Sequence, residues 1–230
     1  LNPCGFPPKV TKKQAARRLD GLDGKIIYLV DCRFDDAIEL LKQVKAWFAE
    51  KMPKVETRII SLTNYYGHDD PETWETIRKQ GHAAIVGVGH CSTCAPAVAT
   101  HAITLESKYG VPTVCLHTSM FTTVTKSVVR MNGAPRMRMV YLPHPVMGKT
   151  EAEIRGYVFG NSPVTGRPVM QEVVEGLTQP LSEEDRKDAG FVRSTPRLCE
   201  PGTEEELNQK FLDNKDRKST RLNSSHVSES

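Results

Sequence analysis

With 230 residues, 38% of them hydrophobic, and a formal charge of +3, the chain has room for one α/β domain plus a tail and is too weakly basic to argue for a nucleic-acid partner. Mean hydropathy of -0.42 fits a soluble protein with a modest core. No apolar run reaches bilayer-spanning length, no signal-peptide core opens the chain, and six dispersed cysteines do not make a secreted disulfide framework, so the expectation is a cytoplasmic protein with no membrane partner.

Residues 1–24 carry three prolines and a basic run without apolar periodicity, which predicts an extended lead-in whose Lys and Arg side chains face solvent. Cys4 sits there in a Pro-Gly turn. Residues 25–150 read as an α/β domain. Lys25–Asp31 is its first strand; Asp35-Asp36 then precedes a helix beginning near residue 35, with Ile38, Leu41, Val44, Ala46 and Phe48 as the buried stripe. Glu56–Leu62 is the second strand, and a polar loop carrying Tyr65 and Tyr66 leads to Pro71, which opens a helix through Gln80. His82–Gly89 is the third strand. The helix after it runs to Tyr109 and stops at Gly110, where a turn through Val111-Pro112 leads into a fourth strand ending at Thr118. A helix over 122–131 and a strand over Met137–Leu142 follow. Strands alternating with helices in this rhythm predict a three-layer α/β sandwich with a mainly parallel sheet, in Rossmann or flavodoxin-like order. Residues 151–200 read as one amphipathic helix around Val169–Leu177 and a linker.

The chemistry gathers in one stretch, Ala83-Ala84-Ile85-Val86-Gly87-Val88-Gly89-His90-Cys91-Ser92-Thr93-Cys94. An apolar run ends in a Gly-punctuated turn with two cysteines three apart, and Pro96 suits the first turn of the helix that follows. A thiol at such a junction faces unpaired amide hydrogens and the positive end of the helix dipole, which favours the thiolate. Cys91 is then the exposed nucleophile and Cys94, one turn inward, its resolving partner. His90 is the candidate acid or base, since imidazole titrates near neutrality. Ser92 and Thr93 are candidates to orient the thiolate or to cap the helix. Loops at the carboxyl ends of parallel strands share one rim, which adds Asp31-Cys32-Arg33, Leu62–Tyr66, His117-Thr118-Ser119 and His144; of these His117, Thr118 and His144 are candidate substrate contacts. Cys115 reads as an inert core thiol and His101 as a packed or surface residue of the helix.

Two cysteines in this spacing are also half of a zinc site, but no second pair stands at zinc spacing, so no metal is assigned. No Gly-x-Gly-x-x-Gly opens a helix and no Walker-type lysine loop exists, so no nucleotide cofactor is expected and reducing equivalents must come through thiols, from a thiol donor protein. Two other readings remain: a thioredoxin-like oxidoreductase, which an all-parallel sheet and a trans Val111-Pro112 bond would reject, and a non-catalytic metal-binding or complex subunit.

Gly87-Val88-Gly89-His90-Cys91-Ser92-Thr93-Cys94, Gly110-Val111-Pro112-Thr113-Val114 and Pro143-His144-Pro145-Val146-Met147-Gly148, with Asn2-Pro3-Cys4-Gly5 and Leu22-Asp23-Gly24-Lys25 before them, fall in the order of a known family. Over roughly residues 1–150 the chain resembles the UGSC-motif family, whose [Sec/Cys]-Gly-Ser-Cys motif opens on selenocysteine or cysteine. More distantly it is similar to the selenoprotein B subunits of glycine, sarcosine and betaine reductases. The resemblance implies a redox-active thiol protein acting on a small molecule or a thiol/disulfide substrate, with Cys91 at the selenocysteine position and Cys94 as its partner. Ser92 replaces the family glycine, and His90 stands where an acidic residue is common. Residues 201–215 resemble the opening of a further domain, so a carboxyl-terminal domain is expected to be missing. Residues 216–230 look like a translated sequencing adapter; they hold three basic and two acidic residues, so the charge of +3 falls by one without them.

Overall fold

The computed structural model describes residues 10–64 and 67–180, together with Glu205, Glu206, Gln209 and Leu212 near the carboxyl terminus. The chain divides into two compact units, Val10–Gly190 and a second made of Leu1–Lys9 with Phe191–Ser230. In the second unit the four described residues are helical and exposed. The readings placed on Cys4, Tyr65, Tyr66, most of 201–215 and the 216–230 tail lie outside the described residues.

In the larger unit the elements are β1 (Ile26–Asp31), α1 (Ala37–Lys51), β2 (Glu56–Ser61), α2 (Pro71–Gln80), β3 (Ala83–Gly89), α3 (Cys94–Tyr109), β4 (Thr113–Thr118), α4 (Thr122–Met131), β5 (Arg138–Leu142), α5 (Glu151–Phe159) and α6 (Val169–Thr178), with one 3-10 turn at Ser119–Phe121. The strands form a single sheet in the order β2-β1-β3-β4-β5, and every pairing is parallel. This is the flavodoxin-like order, and it meets the expectation of an α/β sandwich. The cis peptides are Gly87-Val88 and His144-Pro145, and the bond before Pro112 is not among them. With a sheet that is parallel throughout, the thioredoxin-like alternative is set aside. No helix among the described residues is long and apolar enough to cross a membrane.

Helices α2, α3 and α4 pack together on one face, and α1, α5 and α6 on the other. Strands β3 and β4 lie between these layers and are buried along their whole length; β3 accordingly reads as a continuous apolar run rather than an alternating one, and β4 has an apolar centre, Val114-Cys115-Leu116. On α1 the inward face is Ala37, Leu40, Leu41, Gln43, Val44 and Phe48; Ile38 and Ala46, expected inside, are only half-buried. Gln43 is tolerated there because its amide donates to the Glu151 carboxylate at 3.1 Å.

Two findings correct the sequence reading. Residues 151–200 hold a second helix, α5, opened by a capping box in which Thr150 and Glu153 satisfy each other's backbone amides. And the lead-in is not uniformly solvated: the Arg18 guanidinium is buried in an ion pair with Glu106 of α3. Backbone hydrogen bonds from Lys13 to Gly133 and from Leu19 to Leu177 hold this segment along the ends of α4 and α6.

Candidate functional site

Parallel strands end on a common rim, and ligands of such sheets bind where successive connections leave in opposite directions. With β1 flanked by β2 and β3, that divergence falls between the carboxyl ends of β1 and β3. The loop after β3 carries His90-Cys91-Ser92-Thr93, so the dithiol pair stands at the crevice the topology creates. The loop after β1 supplies the facing wall. Its shape is fixed by Asp31, whose carboxylate accepts the Arg33 amide and the Ser61 hydroxyl, each at 2.8 Å. Arg33 and Asp36 in that loop hold positive φ values of 60° and 53°, a region uncommon for side chains other than Gly.

Cys91 and Cys94 are joined as a disulfide, with Cα atoms 5.1 Å apart. Cys91 is partly exposed while Cys94 is only 2% exposed, so an incoming thiol reaches the first sulfur and not the second. The Cys94 amide donates to the Cys91 sulfur at 3.0 Å. Thr93 occupies the N-cap position of α3 but its side chain makes no capping hydrogen bond; the Cys91 sulfur takes that place. Ser92 and Thr93 are both exposed beside the pair.

The histidines divide by depth. His144 is exposed, with its Nδ1 3.1 Å from the Thr118 hydroxyl and its ring 5.8 Å from that of Phe121. His90 is 7% exposed and its Nε2 has no hydrogen-bond partner. Burial lowers its pKa, the Asp35 and Asp36 carboxylates act against that, and His144 adds to it. His117, expected as a substrate contact, is fully buried, and so is Thr118. The His117 ring lies under the end of β3 against Gly89, whose missing side chain leaves the room: a Cβ there would collide with the ring and with the Ala95 backbone. Thr118 touches the exposed rim only through its contact with His144. Of the predicted rim, then, Cys91, Ser92, Thr93 and His144 are presented to solvent, and His90, Cys94, His117 and Thr118 support them from below.

Sequence reasoning missed the segment that closes this rim. The Gly148 amide donates to the Asp36 carboxylate at 2.7 Å. Because β3 and β4 separate β1 from β5 in the sheet, residues 143–148 must cross the carboxyl ends of both to make that bond. The Pro143-His144-Pro145 turn therefore lies on a strap over the site, and α5 begins beside α1 on its far side. This also explains why Asp36, at the N-cap of α1, makes no capping hydrogen bond with its side chain: the carboxylate is committed to the strap.

Three other groups are settled by burial. Cys32 and Cys115 are buried free thiols whose pKa values burial pushes far up, which makes both inert at neutral pH. His101 is 2% exposed, its ring centroid 5.5 Å from that of Trp74. Among the described residues no group of three or more His, Cys, Asp or Glu side chains is placed to hold a metal ion.

Burial lowers the pKa of His90, His101 and His117, the last to about 3. A lowered histidine pKa means that the unfolded chain binds more protons than the folded one below the ordinary value of about 6.5. Stability is therefore full above that pH and falls as the pH drops through it, by up to about 1.4 kcal/mol per pH unit for each histidine still neutral in the fold. Glu106, whose pKa burial raises against the pull of Arg18, contributes with the opposite sign. Urea unfolding at pH 7.5 and 5.5 checks the balance: we expect a lower midpoint at 5.5, and an unchanged midpoint would contradict burial of neutral imidazoles.

No curated protein matches the chain. A family model described as the UGSC family matches residues 1–179, from the lead-in through α6 and including Cys91 and Cys94. That span is most of the chain and all of the sheet: the protein belongs to the UGSC family.

Proposed function

We propose that the protein is a thiol-based oxidoreductase in which Cys91 attacks a small-molecule or disulfide substrate and Cys94 resolves the adduct. The single observation behind this reading is the asymmetric pair, a partly exposed sulfur hydrogen-bonded at the start of a 16-residue helix and a buried sulfur bonded to it. In the reduced protein the Cys91 thiolate attacks the substrate and its leaving group departs with the bonding electrons. Cys94 then attacks the Cys91 sulfur, releasing the reduced substrate and closing the disulfide. Two thiols lose two electrons in all, and the substrate gains them with two protons. An external thiol donor protein reopens the disulfide by the same exchange. Of the two histidines on this rim, exposed His144 is the candidate to protonate a leaving group, and His90, next to Cys91 in the chain, is the weaker one.

Redox titration of the full chain tests the reading. In glutathione buffers of graded ratio, peptide mapping should show Cys91 and Cys94 passing reversibly between dithiol and disulfide, with Cys32 and Cys115 unchanged. A pair that stays in one state at every ratio would rule out cycling.

A further inference from the structure

We propose that the outer face of α4 is the docking surface for the thiol donor protein, which meets it with an apolar patch edged by acidic side chains. The inference rests on the dithiol reading above and names the chemistry of the partner that reopens the disulfide.

Helix α4 and the turn before it leave an apolar stripe in solvent. Met120, Val124 and Met131 are 71%, 39% and 64% exposed, and half-buried Val128 stands among them. Successive spacings of four, four and three residues put these side chains on one side of the helix, while Thr125 and Val129 fill its buried side. The Ser127 hydroxyl lies 3.8 Å from the Met131 sulfur, which lays that side chain back along the outer turn. Large apolar side chains aligned in solvent mark an interaction surface, and the flexible thioether of methionine suits a face that must fit a partner.

The charge beside the stripe has one sign. Lys126 and Arg130 are exposed one turn apart, and neither makes an ion pair among the described residues. Of the chain's 31 basic and 28 acidic residues, residues 107–150 hold Lys108, Lys126, Arg130, Arg136, Arg138 and Lys149 and no Asp or Glu. Such a face steers an acidic partner and repels a basic one. A nucleic acid would use the cations and leave the stripe uncovered. Exposed Thr123 and Ser127, between the stripe and the cations, interrupt the broad apolar face with which a helix enters lipid. An acidic protein surface with an apolar centre matches both features.

The surface begins at the rim. Gly89 pairs with His117 in the register of β3 and β4, so Cys91, two residues past Gly89, and Met120, three past His117, leave adjacent strand ends. α4 packs against α3, which opens at Cys94, and the Phe121 ring lies 5.8 Å from that of His144. A donor lying along α4 thus has one end beside the exposed sulfur. One donor thiolate attacks Cys91 and Cys94 leaves with the electron pair; the second donor thiolate attacks the mixed disulfide and Cys91 leaves. The two electrons the pair gains are those the donor's two thiols lose.

The test uses the oxidised full chain and two synthetic amphipathic helical peptides, each with a leucine stripe and a reduced Cys-x-x-Cys end, one edged with Glu and the other with Lys. Opening of the Cys91–Cys94 disulfide is followed by trapping and peptide mapping at low salt, with dithiothreitol as the reference reductant. The Glu peptide should reduce wild type at least about tenfold faster than the Lys peptide, and the advantage should shrink in about 0.5 M salt. Lys126→Glu with Arg130→Glu should reverse the preference. Met120→Ser with Met131→Ser should slow the Glu peptide about tenfold, and dithiothreitol should reduce every variant at the wild-type rate. Equal rates for the two peptides, or a preference that survives the charge reversal, would overturn the proposal. So would a dimer in sedimentation that the methionine substitutions break, which would make the stripe a contact between copies. Binding to phosphatidylserine vesicles by a protein indifferent to the Glu peptide would overturn it as well. A disulfide that dithiothreitol does not open would defeat the dithiol reading and this inference with it, whereas one that dithiothreitol opens and both peptides open equally defeats the docking surface alone.

Discussion

Reduced protein carrying Cys94→Ser is expected to hold its electrophile as a stable adduct on Cys91, while Cys91→Ser loses rapid alkylation at the pair. The asymmetry of the two sulfurs dictates this. Cys91 is partly exposed and its sulfur accepts the Cys94 amide at the start of α3, whereas Cys94 is 2% exposed. A free thiol with a pKa of about 8.5 is only about 3% ionised at pH 7, and one lowered to about 6 is almost fully ionised, so its alkylation should be roughly thirtyfold faster. Residual labelling in the Cys91→Ser variant should fall at least that far, because burial adds a barrier of access. Adducts counted by peptide mass spectrometry check both variants, with Cys32 and Cys115 as buried internal controls. Equal labelling of the two variants would refute the division of labour.

The second large effect is expected far from the site. Arg18 and Glu106 form an ion pair with side chains 5% and 4% exposed. Removing one member of a buried pair leaves an uncompensated charge and costs about 3–5 kcal/mol, whereas replacing both with apolar residues of similar volume is often neutral. Arg18→Met should therefore lower unfolding stability by about that amount, and Arg18→Met combined with Glu106→Leu should recover most of it. The direction of the Glu106 pKa agrees: burial raises it more than Arg18 lowers it, so removing Arg18 takes away the interaction that holds the acid in its charged form. α3 runs from the rim to the opposite pole of the sheet, which places Glu106 near its far end. The single substitution should thus weaken folding without touching the reactivity of Cys91. Denaturation curves of the two variants decide the matter; a single variant within about 1 kcal/mol of wild type would mean that the pair does not hold the lead-in.

The elements that carry the site were legible because their signals are local. Pro71 at the start of α2, Gly110 at the end of α3 and the β-branched runs of β3 and β4 each act within a few residues, and the predicted and observed boundaries agree there to within one or two residues. Helix α5 also had a local signal, Thr150 three residues before Glu153, but nine residues interrupted by Gly156 and followed by Gly160-Asn161-Ser162-Pro163 resemble a linker more than a helix. What the sequence hid were contacts between distant positions. Arg18 and Glu106 are 88 residues apart, and Asp36 and Gly148 are 112 apart. Nothing near Asp36 in the chain distinguishes a capping carboxylate from one that anchors a strap. His117 was placed at the rim by its position at the end of β4, yet strand alternation turns its ring inward under Gly89. Depth, rather than position along a strand, separates the rim residues that are presented to solvent from those buried beneath them.

The account stands on the ionisation of Cys91 beside the Cys94 amide and the positive end of the α3 dipole. The most direct measurement is the pH dependence of iodoacetamide labelling at Cys91 in the reduced full chain, read by peptide mass spectrometry. A labelling midpoint at least about one unit below the free-thiol value of about 8.5 is the predicted result. A midpoint at or above that value would contradict it.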